Sequence, residues 1–101
     1  MSSQLSNAQK RYLRGLAHDL KPVVMIGAKG VGPSLLAELD QSLEMHELLK
    51  VKVAAEDRDQ RDACIAALVE GSGAELVARI GHVAVLYRPS KDHRQIVLPR
   101  K

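Results

Sequence analysis

Val23-Val24-Met25-Ile26-Gly27-Ala28-Lys29-Gly30-Val31-Gly32-Pro33 is the stretch that decides the fold. Its four leading apolar residues, three of them β-branched, read as a short strand buried on both faces. A glycine-rich loop follows at once. Pro33 suits the first position of a helix, where its missing N–H costs nothing. Strand, glycine loop and helix start in succession leave free N–H groups and the positive end of a helix dipole aimed at one place, a ready site for an anion. Gly27 and Gly30 permit close backbone approach and the positive φ angles that side chains resist, and Lys29 places a cation between them. Two readings of Gly27-Ala28-Lys29-Gly30 stand side by side: a clamp for phosphate groups, similar to the GXXG loop of KH domains, and a tight turn that uses glycine for geometry alone.

Working outward, Ser6-Asn7-Ala8-Gln9 reads as a capping box. Ala8, Tyr12, Leu13, Leu16, Ala17 and Leu20 recur at helical spacing and predict a first helix over about 7–18, with Lys10, Arg11, Arg14 and His18 on its other face. Downstream, Leu35, Leu36, Leu39 and Leu43 mark a second helix from Pro33 to about His46 or Glu47. Lys50-Val51-Lys52-Val53 alternates, so this strand has an apolar face and a face with two lysines. Asp57 or Asp59 caps a third helix with the stripe Cys64, Ile65, Leu68 and Val69, ended by Gly71 and Gly73. Leu76 to Ile80 and Val83 to Tyr87 are strands joined by Gly81-His82, where glycine at the first central position suits a type II′ turn. Ile96-Val97-Leu98 reads as a short edge strand within a basic, flexible tail at about 89–101. The order is α-β-α-β-α-β-β. A right-handed crossover makes the first two strands parallel and the final hairpin adds antiparallel ones, so the expected fold is α/β (α+β) with a four-stranded mixed sheet. At 101 residues it is one domain spanning 1–101.

Charge is unevenly placed. Residues 1–32 hold five basic and one acidic side chain, residues 33–75 four basic and ten acidic, and residues 76–101 six basic and one acidic, for a net charge of +3. Basic ends that meet in space make a cationic surface fit for a polyanion; solvated surface charge is the plainer reading. With only two tyrosines and no Phe or Trp, rows of aromatics for stacking bases are excluded, so phosphate contacts should dominate. The apolar runs are too short to span a bilayer, and no charged segment followed by an apolar one marks a secretory leader. A lone cysteine, Cys64, makes neither an internal disulfide nor a multi-cysteine metal site. Glu56 to Asp62 reads as dipole partners and solvated pairs rather than a metal site. His18, His46, His82 and His93 show no ligand spacing and no neighbouring nucleophile. The loop matches neither the dinucleotide fingerprint nor the phosphate loop of nucleotide hydrolases.

Leu13-Arg14-Gly15-Leu16-Ala17-His18, then Leu20-Lys21-Pro22-Val23-Val24-Met25-Ile26-Gly27 and Gly30, resembles the opening of a CRM domain (chloroplast RNA splicing and ribosome maturation). His46-Glu47-Leu48-Leu49-Lys50-Val51-Lys52-Val53 and Val85-Leu86-Tyr87-Arg88-Pro89 resemble its later parts. The resemblance spans nearly the whole chain and points to the stand-alone, YhbY-like bacterial members. It implies a fold like the C-terminal domain of a bacterial translation initiation factor. It also implies RNA binding through the GxxG loop and nearby basic residues, and association with precursors of the large ribosomal subunit during assembly. On this reading Gly27, Ala28, Lys29 and Gly30 form the loop part of the site. Lys10, Arg14, His18 and Lys21 extend it from the first helix, and Arg88, Lys91 and Arg94 from the end of the chain. Lys50 and Lys52 join if their face is uncovered. Lys29 fits the polar or basic residue common between the family's glycines, whereas Ala28 has no hydrogen-bonding side chain. The expected partner is ribosomal RNA, bound by a cytoplasmic monomer without cofactor, metal, membrane, small-molecule substrate or catalysis. The alternative is a protein-interaction module that docks on a ribosomal protein or assembly enzyme through the acidic middle segment.

Overall fold

The computed structural model describes residues 5–27, 30–55, 57–91 and 96. It comprises α1 (Asn7–Ala17), β1 (Val24–Ile26), α2 (Pro33–His46), β2 (Leu48–Val53), α3 (Arg58–Ser72), β3 (Glu75–Ile80) and β4 (Val83–Tyr87). The capping box forms as the sequence requires: the Gln9 N–H donates to Ser6 Oγ at 3.1 Å and the Ser6 N–H to Gln9 Oε1 at 2.9 Å. Asp57 caps α3, accepting from the Asp59 N–H. Gly73 ends that helix, while Gly71 lies inside it, where a Cβ would sit 2.9 Å from the Leu36 side chain of α2.

The sheet order is β1-β2-β4-β3. β1 runs parallel to β2, and β4 runs antiparallel to both of its neighbours. Gly81 has φ +58, and Glu47 is the only described non-glycine residue with positive φ. His82 is therefore at negative φ, which rules out a type I′ turn and leaves type II′ for the β3–β4 hairpin.

Period-2 alternation sends side chains to two cores. On one face Val24, Ile26, Leu49, Val51, Val53, Ala84 and Leu86 meet Leu39 and Leu43 of α2 and Ile65 and Leu68 of α3. On the other, Leu48, Val77, Val85 and Tyr87 meet Leu13 and Ala17 of α1. The result is three layers, each fully buried aliphatic side chain contributing about 1.5–3 kcal/mol. The expectation that Val23 to Ile26 is buried on both faces is overturned: Val23 is 51% and Met25 62% exposed. β1 is an edge strand, and α1 packs on β2, β3 and β4 instead.

Glu47 locks the far end of the sheet. It follows α2 with φ +61 and ψ −43 and is completely buried. A carboxylate tolerates burial only when its oxygens are hydrogen-bonded. Oε2 accepts from the Ser90 N–H and Oε1 from the Ile96 N–H, each at 2.8 Å, and the Glu47 carbonyl accepts from the Arg88 N–H at 2.9 Å. The chain beyond β4 is thus tied to the α2–β2 junction, and Ile96 packs against the α1-side core. Of the expected strand at 96–98, Val97 and Leu98 lie outside the described residues, and Ile96 is not in a strand. Glu47→Ala removes the acceptors of one buried and one part-buried N–H group and keeps the positive-φ backbone. We expect urea denaturation to show a loss of about 2–4 kcal/mol.

Candidate nucleic-acid interface

β1 ends at Ile26, and the glycine loop leads from it to α2. The Gly30 N–H donates to the Gly27 carbonyl at 3.1 Å, closing the two glycines on each other. Ala28 and Lys29 lie outside the described residues. Gly30 has φ +78, with nothing within 4 Å of an added Cβ, so conformation rather than space calls for glycine. Gly27 differs from expectation: it is not at positive φ, and it too has open space around it. Gly32 is the N-cap of α2 and Pro33 follows, with no side-chain cap on the first amides. Those amides and the helix dipole face the same loop.

On the opposite side of the sheet from α2 and α3, α1 lays Leu13 and Ala17 onto the strands. At about 100° per residue, Arg11, Arg14 and His18 share one flank of this helix, and Tyr12 and Leu16 the other. The basic flank borders a groove of about 340 Å³, lined by Arg11, Arg14, Gly15 and His18 of the helix side and by Lys50, Ile80 and Val85 of the sheet. Among the described residues, no carboxylate lines it. Lys50 Nζ donates to the His18 carbonyl at 3.4 Å, placing a cation at the negative end of α1. Lys52 is exposed two residues further along the same face of β2, toward the loop. Lys21 is exposed in the α1–β1 connection, whose Val23 N–H donates to the Lys50 carbonyl at 3.1 Å. Lys10 is half-buried on α1.

The structure thus gathers Arg14, His18 and Lys50 around one groove, with Lys21 in the adjoining connection, and adds Arg11, which the sequence reading had placed only on a polar face. It also shows that the lysine face of β2 is the one α1 leaves partly open. Periodicity could pair Lys50 with Lys52 but could not say which helix would cover them.

Arg88 lies elsewhere. Its guanidinium donates to Asp40 Oδ1 at 2.7 Å, to the Ser72 carbonyl at 2.8 Å, and to Glu44 Oε2 and the Asp40 carbonyl at 3.2 Å. It sits on the α2–α3 side, capping the last carbonyl of α3. The Lys91 N–H donates to Glu44 Oε1 at 3.3 Å in the same region. β2 is six residues long, so at about 3.3 Å per residue roughly 17 Å separates this end of the sheet from the loop end. Arg88 and Lys91 do not line the α1-side groove, and the Arg88 guanidinium is held by acidic side chains of α2. Arg79 likewise pairs with Asp62 of α3. Arg94 and His93 lie outside the described residues. His82 Nδ1 is 3.3 Å from the Val53 carbonyl in the hairpin, and His46 is exposed at the end of α2. Cys64 is half-buried against the α2–α3 core.

A family model described as the CRS1 / YhbY (CRM) domain matches residues 5–88. A Haemophilus influenzae protein named "RNA-binding protein" is 50% identical over 97 residues, covering 96% of this chain and 97% of that one. The Bacillus subtilis protein named "Probable RNA-binding protein YqeI" is 40% identical over 95 residues, covering 94% and 99%. The solution structure of SAV1595 from Staphylococcus aureus matches with a TM-score of 0.81 at 40% identity, covering 95% of this chain and all of that one.

The two loop glycines should separate by their φ angles. Gly30→Ala should lose about 1–2 kcal/mol in urea denaturation, whereas Gly27→Ala should stay within about 0.5 kcal/mol of the parent.

Proposed function

Because this chain belongs to the CRS1 / YhbY (CRM) domain family, we propose that it binds RNA by gripping the phosphodiester backbone. The grip is made by the α1-side groove together with the Gly27 to Gly30 loop. The observation that carries this reading is the groove itself: Arg11, Arg14, His18 and Lys50 line it without a carboxylate among them. α1 has no acidic residue, whereas α2 and α3 carry Asp40, Glu44, Asp59, Asp62 and Glu70 on the other side of the sheet. An RNA strand approaching the α1 side meets cations and is repelled from the rest. The loop adds amides, the α2 dipole and Lys29 for the same phosphates. Lys10, Lys21 and Lys52 widen the surface.

The partner we propose is ribosomal RNA in a precursor of the large subunit, bound by a monomer in the cytoplasm. The protein's task there is binding during assembly rather than catalysis. A second surface favours an additional protein contact. A groove of about 860 Å³ between α3 and β3 has an apolar lining of Ile65, Val69 and Leu76, rimmed by Asp62, Glu70 and Glu75. Ribosome association that survives nuclease treatment would favour that contact over RNA.

If about four to six phosphates are neutralised, log affinity should fall with log salt with a slope of roughly −3 to −5, and a flat response would overturn the mechanism. Arg14→Ala and Lys29→Ala should each remove about one unit of slope and leave the melting temperature unchanged. Arg88→Ala should do the reverse, costing about 1–3 kcal/mol of stability and leaving the slope intact.

A further inference from the structure

One row of side chains crosses all four strands at the loop end of the α1-side face. Met25 stands opposite Lys52, Lys52 opposite Val83, and Val83 opposite Ile80. α1 packs further along the sheet, on Leu48, Val85 and Tyr87, and leaves this row open. Met25 and Ile80 are each 62% exposed, and Val83 is half-buried. A sheet face left to water normally carries polar residues, and threonine would serve such strands as well as valine or isoleucine. Three apolar side chains in line therefore mark a contact surface. The row is continuous with the cationic groove, because Ile80 belongs to both. At its other end Met25 is two residues from Gly27 of the loop.

We infer that the row Met25, Lys52, Val83 and Ile80 is the floor on which bases rest, and that the ligand is single-stranded RNA. This deepens the backbone-binding reading above and rests on it. The occupant must present anionic groups to α1 and the loop, and apolar surface to the sheet beside them. Unpaired nucleotides do both. A duplex hides its base faces in the stack and offers phosphates and 2′-hydroxyls instead. At a strand spacing of about 4.8 Å the row spans roughly 14 Å, long enough for more than one unpaired base. Lys52 lies in the middle of the row, where its ammonium can donate to base edges or lie against a base face. Without aromatics the floor contributes by area rather than by stacking, so it tolerates any base.

The test uses the full chain and three labelled probes in fluorescence anisotropy: a short unstructured RNA, a duplex of equal length, and an abasic ribose-phosphate oligomer. The parent should bind the unstructured RNA more tightly than the other two. Met25→Ser with Ile80→Ser should weaken binding to unstructured RNA about tenfold, as loss of apolar contact area predicts. The salt slope and the affinity for the abasic oligomer should stay unchanged. Met25→Leu with Ile80→Val should retain full affinity, as should Met45→Ser, which alters an exposed apolar residue of α2. Both altered sheet positions are exposed, and an unchanged melting temperature verifies the fold. Unchanged affinity of the serine pair for unstructured RNA overturns the inference, and is the result expected if the row serves an acidic protein surface. A parent that prefers duplex overturns it too. In either case steep salt dependence on the abasic probe leaves the backbone reading standing; failure to bind any probe overturns both.

Discussion

The antiparallel pairing of β2 with β4 at the centre of the sheet is the interaction on which the rest depends. Leu49 opposite Leu86 and Val51 opposite Ala84 face α2 and α3; Leu48 opposite Tyr87 and Lys50 opposite Val85 face α1. Side chains alternate strictly, so this one register sets the parity of the whole molecule. A slip of one residue would drive Lys50 and Lys52 into the α2–α3 core, where burying an unpaired ammonium costs far more than any packing gain. The valines at 51 and 53 and the lysines at 50 and 52 that alternate with them thus hold each other in place.

From that parity the electrostatics follow. The acidic helices α2 and α3 lie on one side of the sheet, and the carboxylate-free α1 on the other. β1, parallel to β2, delivers Gly27 to the end of the sheet where Lys52 is exposed. The opposite end is closed by intramolecular contacts: Glu47 holds Ser90 and Ile96, and Arg88 is shared among Asp40, Glu44 and Ser72. One end of the sheet is satisfied within the chain, and at the other Lys52 is exposed.

Much of the architecture was legible in particular residues. The capping box at Ser6, the alternation from Lys50 to Val53, Pro33 after a glycine loop, and Gly81 in the hairpin are each local statements of backbone physics, and the elements stand where those residues place them. The reading of β1 as doubly buried failed because an apolar run records hydrophobicity but not whether a helix covers it. The sequence groups Arg88 with the basic ends, whereas the fold sets it against Asp40 and Glu44, for a related reason: a guanidinium at the end of a strand is cationic in any sequence, and only folding brings those carboxylates to it. Glu47 looked like the end of a helix, and nothing local signals that a distant segment will supply N–H donors to its carboxylate.

The sequence by itself determined the elements, their order and the presence of a glycine loop between strand and helix, because these rest on interactions within a few residues. It also determined that cations cluster in the terminal thirds. Tertiary structure alone decided which basic side chains share a surface, Lys50 of the acidic middle segment among them. Arg11, Arg14, His18 and Lys50 do so because α1 crosses the lysine face of β2, while Arg79 and Arg88 are drawn to carboxylates on the other side. The physical reason is that a side chain's partner across a sheet is set by register and layer, and both are products of core packing between segments far apart in the chain.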